Sequence, residues 1–332
     1  MITNLFNWYS QVCDEWSDEE SELFSDGVFM SKIQDVTRGY VHFNGQKFFV
    51  KTPHSRRFKF GAISTLFSRN DNRIATTSEL MAERKYRELN YLTAYHKPVY
   101  INKVKNEILK PGSKYGVGPY VLVSPVLFDF NIHYATMFDL QEQEHLFYPN
   151  TDIDDKMFFN LENAIKNKDY FLQYLTEECY DEYIKYILLS IFEFSDDEHL
   201  GNVIICQNKY AKRFERIFVH DKESTAFNPY IAQNFDMNAV TFKTNNFTEY
   251  NGVPIDFKGE RSFERILAVT KLVADGKMPK KYCEFLSTIA NLDYEKFAKE
   301  VFEQTGIAPN SKQVDMYKYG SEKAGEIVIR QM

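Results

Sequence analysis

The chain has 332 residues with a formal net charge of −7 at pH 7; 44% of its residues are hydrophobic, 26% charged and 16% aromatic. That length supports a substantial core and two lobes, and the acidic balance excludes a general nucleic-acid binder, which needs clustered Lys and Arg. No apolar run is long enough to span a bilayer.

Met1-Ile2-Thr3-Asn4 lacks the charged-then-apolar pattern of a secretion signal, so a cytoplasmic protein is expected, with an exported effector lacking such a signal as the alternative. Cys13, Cys179, Cys206 and Cys283 are far apart and show no CxxC spacing, so they read as reduced core residues rather than zinc ligands or a disulfide framework. Asn246-Phe247-Thr248 matches a glycosylation sequon, which has no use without secretion.

In chain order, residues 1–30 form an extension that combines Phe6, Trp8, Tyr9, Trp16 and Phe24 with an acidic run from Asp14 to Glu22, and read as a short helix packed on the body. From Ser31 the pattern changes to strands over 32–36, 40–43 and 47–51. Asn44-Gly45 between apolar alternations is a strong hairpin signal, and Pro53 ends the third strand, which Lys51 closes. Residues 54–73 are a loop carrying Arg56, Arg57, Lys59, Arg69 and Arg73, which either clamps phosphates or is merely solvated.

A helix opened by Thr76-Thr77-Ser78 runs from Glu79 to about Tyr95, with Leu80, Tyr86, Leu89 and Leu92 inward and Glu79, Glu83 and Glu88 among its acids. Strands follow at 99–101 and 120–123, the second broken by Ser124-Pro125. Beyond residue 128 the pattern is largely helical, so the chain divides into an N-terminal lobe over 31–128 and a C-terminal lobe over 129–332. The clearest helix spans 176–194, with Tyr180, Ile184, Ile187, Leu188 and Ile191 at spacings of three and four. After irregular residues 224–258, helices are expected around 263–274, 281–290 and 293–304, the last stopped by Gly306.

The chemistry is concentrated where the helix over 176–194 delivers the chain into Ser195-Asp196-Asp197-Glu198-His199-Leu200-Gly201-Asn202. Two short arms follow, 203–206 and 216–219, which pair as a hairpin and bring Asn202 beside Asp221 at its open end. Asp197 faces them from the preceding loop. One amide and two carboxylates make a hard, oxygen-rich site suited to magnesium against a nucleotide's phosphates.

The order of these parts, with the motif Asp197-Glu198-His199-Leu200-Gly201-Asn202 and the segment Val50-Lys51-Thr52-Pro53, resembles the HipA-like and CtkA-like bacterial Ser/Thr kinases, in the phosphoinositide-kinase-like branch of the protein-kinase-like fold. The resemblance implies an α+β, bilobal fold, with an N-terminal antiparallel sheet lobe bearing one main helix and a mostly helical C-terminal lobe. It implies ATP and Mg2+ as cofactors, a protein Ser or Thr as acceptor, and room for an antitoxin or regulatory partner. By resemblance Lys51 holds the α- and β-phosphates and Glu79 or Glu83 pairs with it. Asn202 and Asp221 bind metal, Asp197 orients or deprotonates the attacking hydroxyl, and His199 supports the loop.

The chain departs from that family where its loop carries Glu198 in place of Arg, where Lys222-Glu223 follows Asp221, and in having only Gly39 and Gly45 near the first hairpin. Those departures motivate an alternative, a pseudokinase or interaction module on the same fold. A lipid or small-molecule kinase, or a nucleotidyl transferase, is a third reading.

Overall fold

The computed structural model describes residues 16, 20–34, 36, 38–53, 72–101, 120–126, 132–140, 161–194, 200–220, 240–243, 247–250, 253–254 and 260–329. The chain is α+β, with antiparallel and mixed sheets followed by a largely helical part, as the sequence leads one to expect.

Ahead of the first sheet the described residues include helices α1 (Glu20–Leu23) and α2 (Gly27–Gln34). The strand expected over 32–36 is therefore wrong for Lys32-Ile33-Gln34, which close a helix: Phe29 and Ile33, one turn apart, are both fully buried, while Lys32 is exposed. Strands β1 (Arg38–Phe43) and β2 (Gln46–Lys51) follow, so Lys51 ends the second strand and not the third. Asn44 and Gly45, at φ 47° and 80°, supply the left-handed pair that a two-residue hairpin turn requires.

Helix α3 (Arg73–Glu88) begins six residues before the expected start at Glu79, taking in Thr76-Thr77-Ser78, and ends well short of Tyr95. Thr76, Thr77 and Ser78 look like cap residues but are buried within it. The Thr76 hydroxyl donates to the Asn72 carbonyl at 2.9 Å, and Ser78 Oγ accepts from Gln313 at 2.7 Å. After Asn90, at φ 62°, the chain enters β3 (Leu92–Thr93), then β4 (Lys97–Tyr100), β5 (Tyr120–Pro125) and β6 (Ile132–Thr136). Strand β5 runs through Ser124-Pro125 instead of breaking there, and β6 interrupts the helical reading beyond residue 128.

Short helices α4 (Leu161–Lys166) and α5 (Lys168–Phe171) lead to α6 (Glu177–Phe192), capped by Thr176, whose side chain accepts from the Cys179 amide at 3.2 Å. A 3-10 turn, Leu200–Asn202, opens β7 (Val203–Asn208), which pairs with β8 (Arg216–Val219) as the expected hairpin. Three further strands are β9 (Val240–Lys243), β10 (Phe247–Tyr250) and β11 (Val253–Pro254). Helices α7 (Glu260–Ala274), α8 (Lys280–Ala290) and α9 (Tyr294–Thr305) follow where they are expected, and Gly306, at φ 68°, ends α9. The sequence reading passes over α10 (Ser311–Ile329).

The first sheet has the order β1-β2-β5-β4, all antiparallel; the second is β3-β8-β7-β6, with β3 parallel to β8. In β2, Phe48 and Val50 point to one face and Phe49 and Lys51 to the other, by strand alternation. On the first face, Phe48, Val50, Val121 and Val123 close a core with Trp16, Phe29 and Ile33. Ring centroids of Phe29 lie 5.2 Å from those of both Phe43 and Phe48. A larger core is built around α6 and takes in Leu80, Met81 and Tyr86 of α3 together with Leu122 of β5.

Candidate functional site

Register across the first sheet sets out the roof of a cavity of about 270 Å³. Arg38 pairs with Lys51, and Tyr40 with Phe49, which pairs in turn with Ser124; all five side chains line the cavity. The second sheet supplies the opposite wall through Ile204 and Phe218, which face each other across the β7–β8 ladder, and through His220. Glu79 and His96 complete the polar lining.

Lys51 Nζ donates to Glu79 Oε2 at 3.1 Å, with the two side chains only 3% and 1% exposed. Burying such a pair is costly and adds little net stability; its consequence is position, because each charge locks the other. One turn on, Glu83 is engaged elsewhere. Its carboxylate meets His96 Nδ1 and also accepts from the His96 backbone N–H at 3.1 Å. Of the two glutamates considered in the sequence, Glu79 is thus the partner of Lys51. The three groups Glu79, Glu83 and His96 are all buried, with ligand-capable atoms within 4.8 Å of one another, and each carboxylate is already matched by a nitrogen of Lys51 or His96.

Helix α3 is fixed at both ends and on its flank. Asn72, fully buried before its first turn, donates to the Tyr120 carbonyl at 2.7 Å and accepts from the Tyr120 N–H at 3.2 Å, tying the helix to β5. Further along, Lys85 forms an ion pair with Glu193, both at 1% exposure or less, and Tyr86 donates to the same carboxylate at 3.4 Å. Arg84 reaches Glu300 at 3.0 Å and Gln304 at 2.6 Å on α9. Glu193 caps α6, so the buried pair joins α3 to the point from which the chain enters 195–199.

Asn202 is 2% exposed at the mouth of the hairpin. The ladder pairs Val203 with Val219, which sets Asn202 beside His220, whose Nε2 lies 3.2 Å from the Gly201 carbonyl oxygen. Asp197, Glu198, His199, Asp221 and Lys222 lie outside the described residues, as do Arg56, Arg57, Lys59 and Arg69 of the basic loop. Lys51, Glu79 and the residue preceding Asp221 are thereby brought to one cavity. His96 is a member of that lining which sequence reasoning missed, since a lone histidine carries no spacing signal.

Behind the hairpin, Arg216 Nε lies 2.6 Å from Glu182 Oε1, and the Ile217 N–H donates to Glu182 Oε2 at 3.0 Å. Burial nevertheless pushes the Glu182 carboxyl up to about 7, against the lowering pull of Arg216. No helix among the described residues is long and apolar enough to cross a membrane.

No family model and no curated protein sequence matches the chain. Among solved structures it is similar to the Helicobacter pylori proinflammatory kinase CtkA at 12% identity and a TM-score of 0.37, over 86% of this chain and 94% of that one.

Proposed function

We propose that the chain has a bilobal, protein-kinase-like fold, with lobes over 31–128 and 129–332, and transfers the γ-phosphoryl group of ATP, with Mg2+, to a protein Ser or Thr. The observation that carries this reading is the buried Lys51–Glu79 pair on the roof of a cavity whose other wall ends at His220, next in sequence to Asp221. Phosphoryl transfer needs little covalent chemistry from the protein; it needs cations on the polyphosphate and an acceptor held in line. Lys51, kept in one orientation by Glu79, would hold the α- and β-phosphates.

Asn202 and Asp221 would hold magnesium, an amide and a carboxylate oxygen being donors of the hard type it prefers, and the burial of Asn202 at the hairpin mouth fits that donor set. The ion, when bound, neutralises phosphate charge. Asp197 would orient the acceptor hydroxyl and take its proton, and His199 would support the loop.

The test is to incubate the whole chain with magnesium and ATP labelled at either the γ- or the α-phosphate. Transfer of the γ-label to protein Ser or Thr is expected, falling at least about a hundredfold in Lys51→Ala and Asp221→Ala while circular dichroism stays unchanged. Transfer of the α-label would replace this reading with nucleotidyl transfer. Absence of both transfer and magnesium-ATP binding would overturn it.

A further inference from the structure

Strand alternation sorts the cavity roof by chemistry. Arg38 and Tyr40 of β1 and Phe49 and Lys51 of β2 face the cavity, while Val41, Phe43, Phe48 and Val50 on the other face enter the core around Trp16 and Phe29. Across the ladder Arg38 stands opposite Lys51, and Tyr40 opposite Phe49. The roof thus has a row of two cations and, two residues along each strand, a row of two aromatic rings whose centroids are 5.6 Å apart. Like charges directly opposed, at about 5 Å between Cβ atoms, cost stability, and a polyanion lying under both offsets that cost. Glu79 sets one negative charge against the two, so Arg38, Lys51 and Glu79 together leave this end of the described lining positive.

The backbone of the roof cannot take an anion in their place. N–H groups of a regular antiparallel ladder lie in the plane of the sheet, and β1–β2 is unbroken from Arg38–Lys51 to Phe43–Gln46, where Asn44-Gly45 turns it in two residues. Phe48 to Lys51 are paired on their other side with β5. Among the described residues this hairpin turns no row of amides toward a phosphate, and recognition from the roof falls to side chains. Depth separates the two cations. Lys51 is 3% exposed and held by Glu79, whereas Arg38 is exposed at the rim. A guanidinium offers a planar fork that meets two oxygens of one phosphate at once, which an ammonium does not.

We propose that Arg38 is a second phosphate-binding residue of this cavity, its guanidinium taking the γ-phosphate of a nucleotide whose inner phosphates lie on Lys51. This rests on the nucleotide reading of the cavity given above.

Calorimetric titration of the whole chain with the magnesium complexes of ATP and ADP tests it, in the wild type, Arg38→Gln and Arg38→Lys. A charge-assisted hydrogen bond at an exposed rim is worth about tenfold in affinity. Arg38→Gln should therefore bind ATP about tenfold more weakly, while its affinity for ADP, which lacks the γ-phosphate, changes by about twofold or less. Arg38→Lys keeps the charge and loses the fork, and should lose about threefold on ATP alone. A folded Arg38→Gln that binds ATP as the wild type does, or that loses ATP and ADP by the same factor, overturns the proposal and leaves the nucleotide reading standing. Absence of binding of both nucleotides by the wild type overturns both. Arg38 is exposed at the start of an edge strand, so circular dichroism should be unchanged in either variant; were Arg38→Gln to misfold, the same two comparisons in Arg38→Lys decide the question.

Discussion

Removing one member of the buried Lys85–Glu193 pair should unfold the protein far more easily than removing both. Each side chain is at most 1% exposed, so in Lys85→Met the Glu193 carboxylate remains in the interior, where the Tyr86 hydroxyl lies 3.4 Å from it. In Glu193→Leu the ammonium is left over the rings of Tyr86 and Tyr317, at 4.6 and 5.3 Å. Breaking a buried pair this way costs about 3–5 kcal/mol. The hydroxyl and the ring faces each offset roughly 1–2 kcal/mol of that, so each single substitution should cost about 1–4 kcal/mol. The double variant Lys85→Met/Glu193→Leu buries no charge and should recover most of the loss. Urea denaturation of the four proteins closes the cycle. A coupling below about 1 kcal/mol would refute the reasoning, because it would mean that water or another group already meets these charges.

Three further outcomes follow from the packing. A Cβ on Gly320 would sit 1.8 Å from the Phe192 carbonyl oxygen and 2.9 Å from its carbon, and backbone cannot swing aside as a side chain can; Gly320→Ala should therefore cost about 3 kcal/mol, the upper end for overpacking, in the same denaturation assay. Of the three described cysteines, Cys179 and Cys206 are buried, which pushes their thiols well up, and Cys283 is half-buried; a maleimide should label Cys283 in the native protein and reach the other two only in denaturant. Glu182 binds its proton more tightly folded, up to about 7, than unfolded, at 4.5. Stability should accordingly fall as pH rises from about 4.5 to 7 and change no further above that from this group, by up to about 3 kcal/mol, and Glu182→Gln should flatten that part of a melting-temperature profile.

Hairpins were legible in the sequence because their signals are local. Asn44-Gly45 forces a tight turn, and the apolar arms at 203–206 and 216–219 have no other way to bury both faces. Helix α6 was legible for the same reason, with Thr176 as its cap. The glutamate expected opposite Lys51 was narrowed to two, and only the rotation of α3 separates Glu79 from Glu83, since both lie on its buried side.

What escaped depends on partners distant in the chain. Strand β3 is two residues long and exists through its parallel pairing with β8. The buried side of α10 mixes Val314, Tyr317 and Ala324 with Gln313, Gly320 and Ser321, so an apolar count passes over it although Gln313 donates from that side to Ser78 at 2.7 Å. Thr76-Thr77-Ser78 misled for a related reason: the hydroxyls of Thr76 and Ser78 find partners inside the fold instead of capping a helix end.

The clamp on α3 sets an order of events in synthesis. Ser78 is held by Gln313, 235 positions later, and Arg84 by Gln304, 220 positions later. A ribosome that has released only the first hundred residues has made every atom of Lys51 and Glu79, but none of the helical surface of α9 and α10 against which the helix of Glu79 is held. The nascent chain therefore carries an unfinished cleft through most of its elongation, and a message cut short before α9 and α10 would yield a product whose α3 lacks its contacts to Gln304 and Gln313.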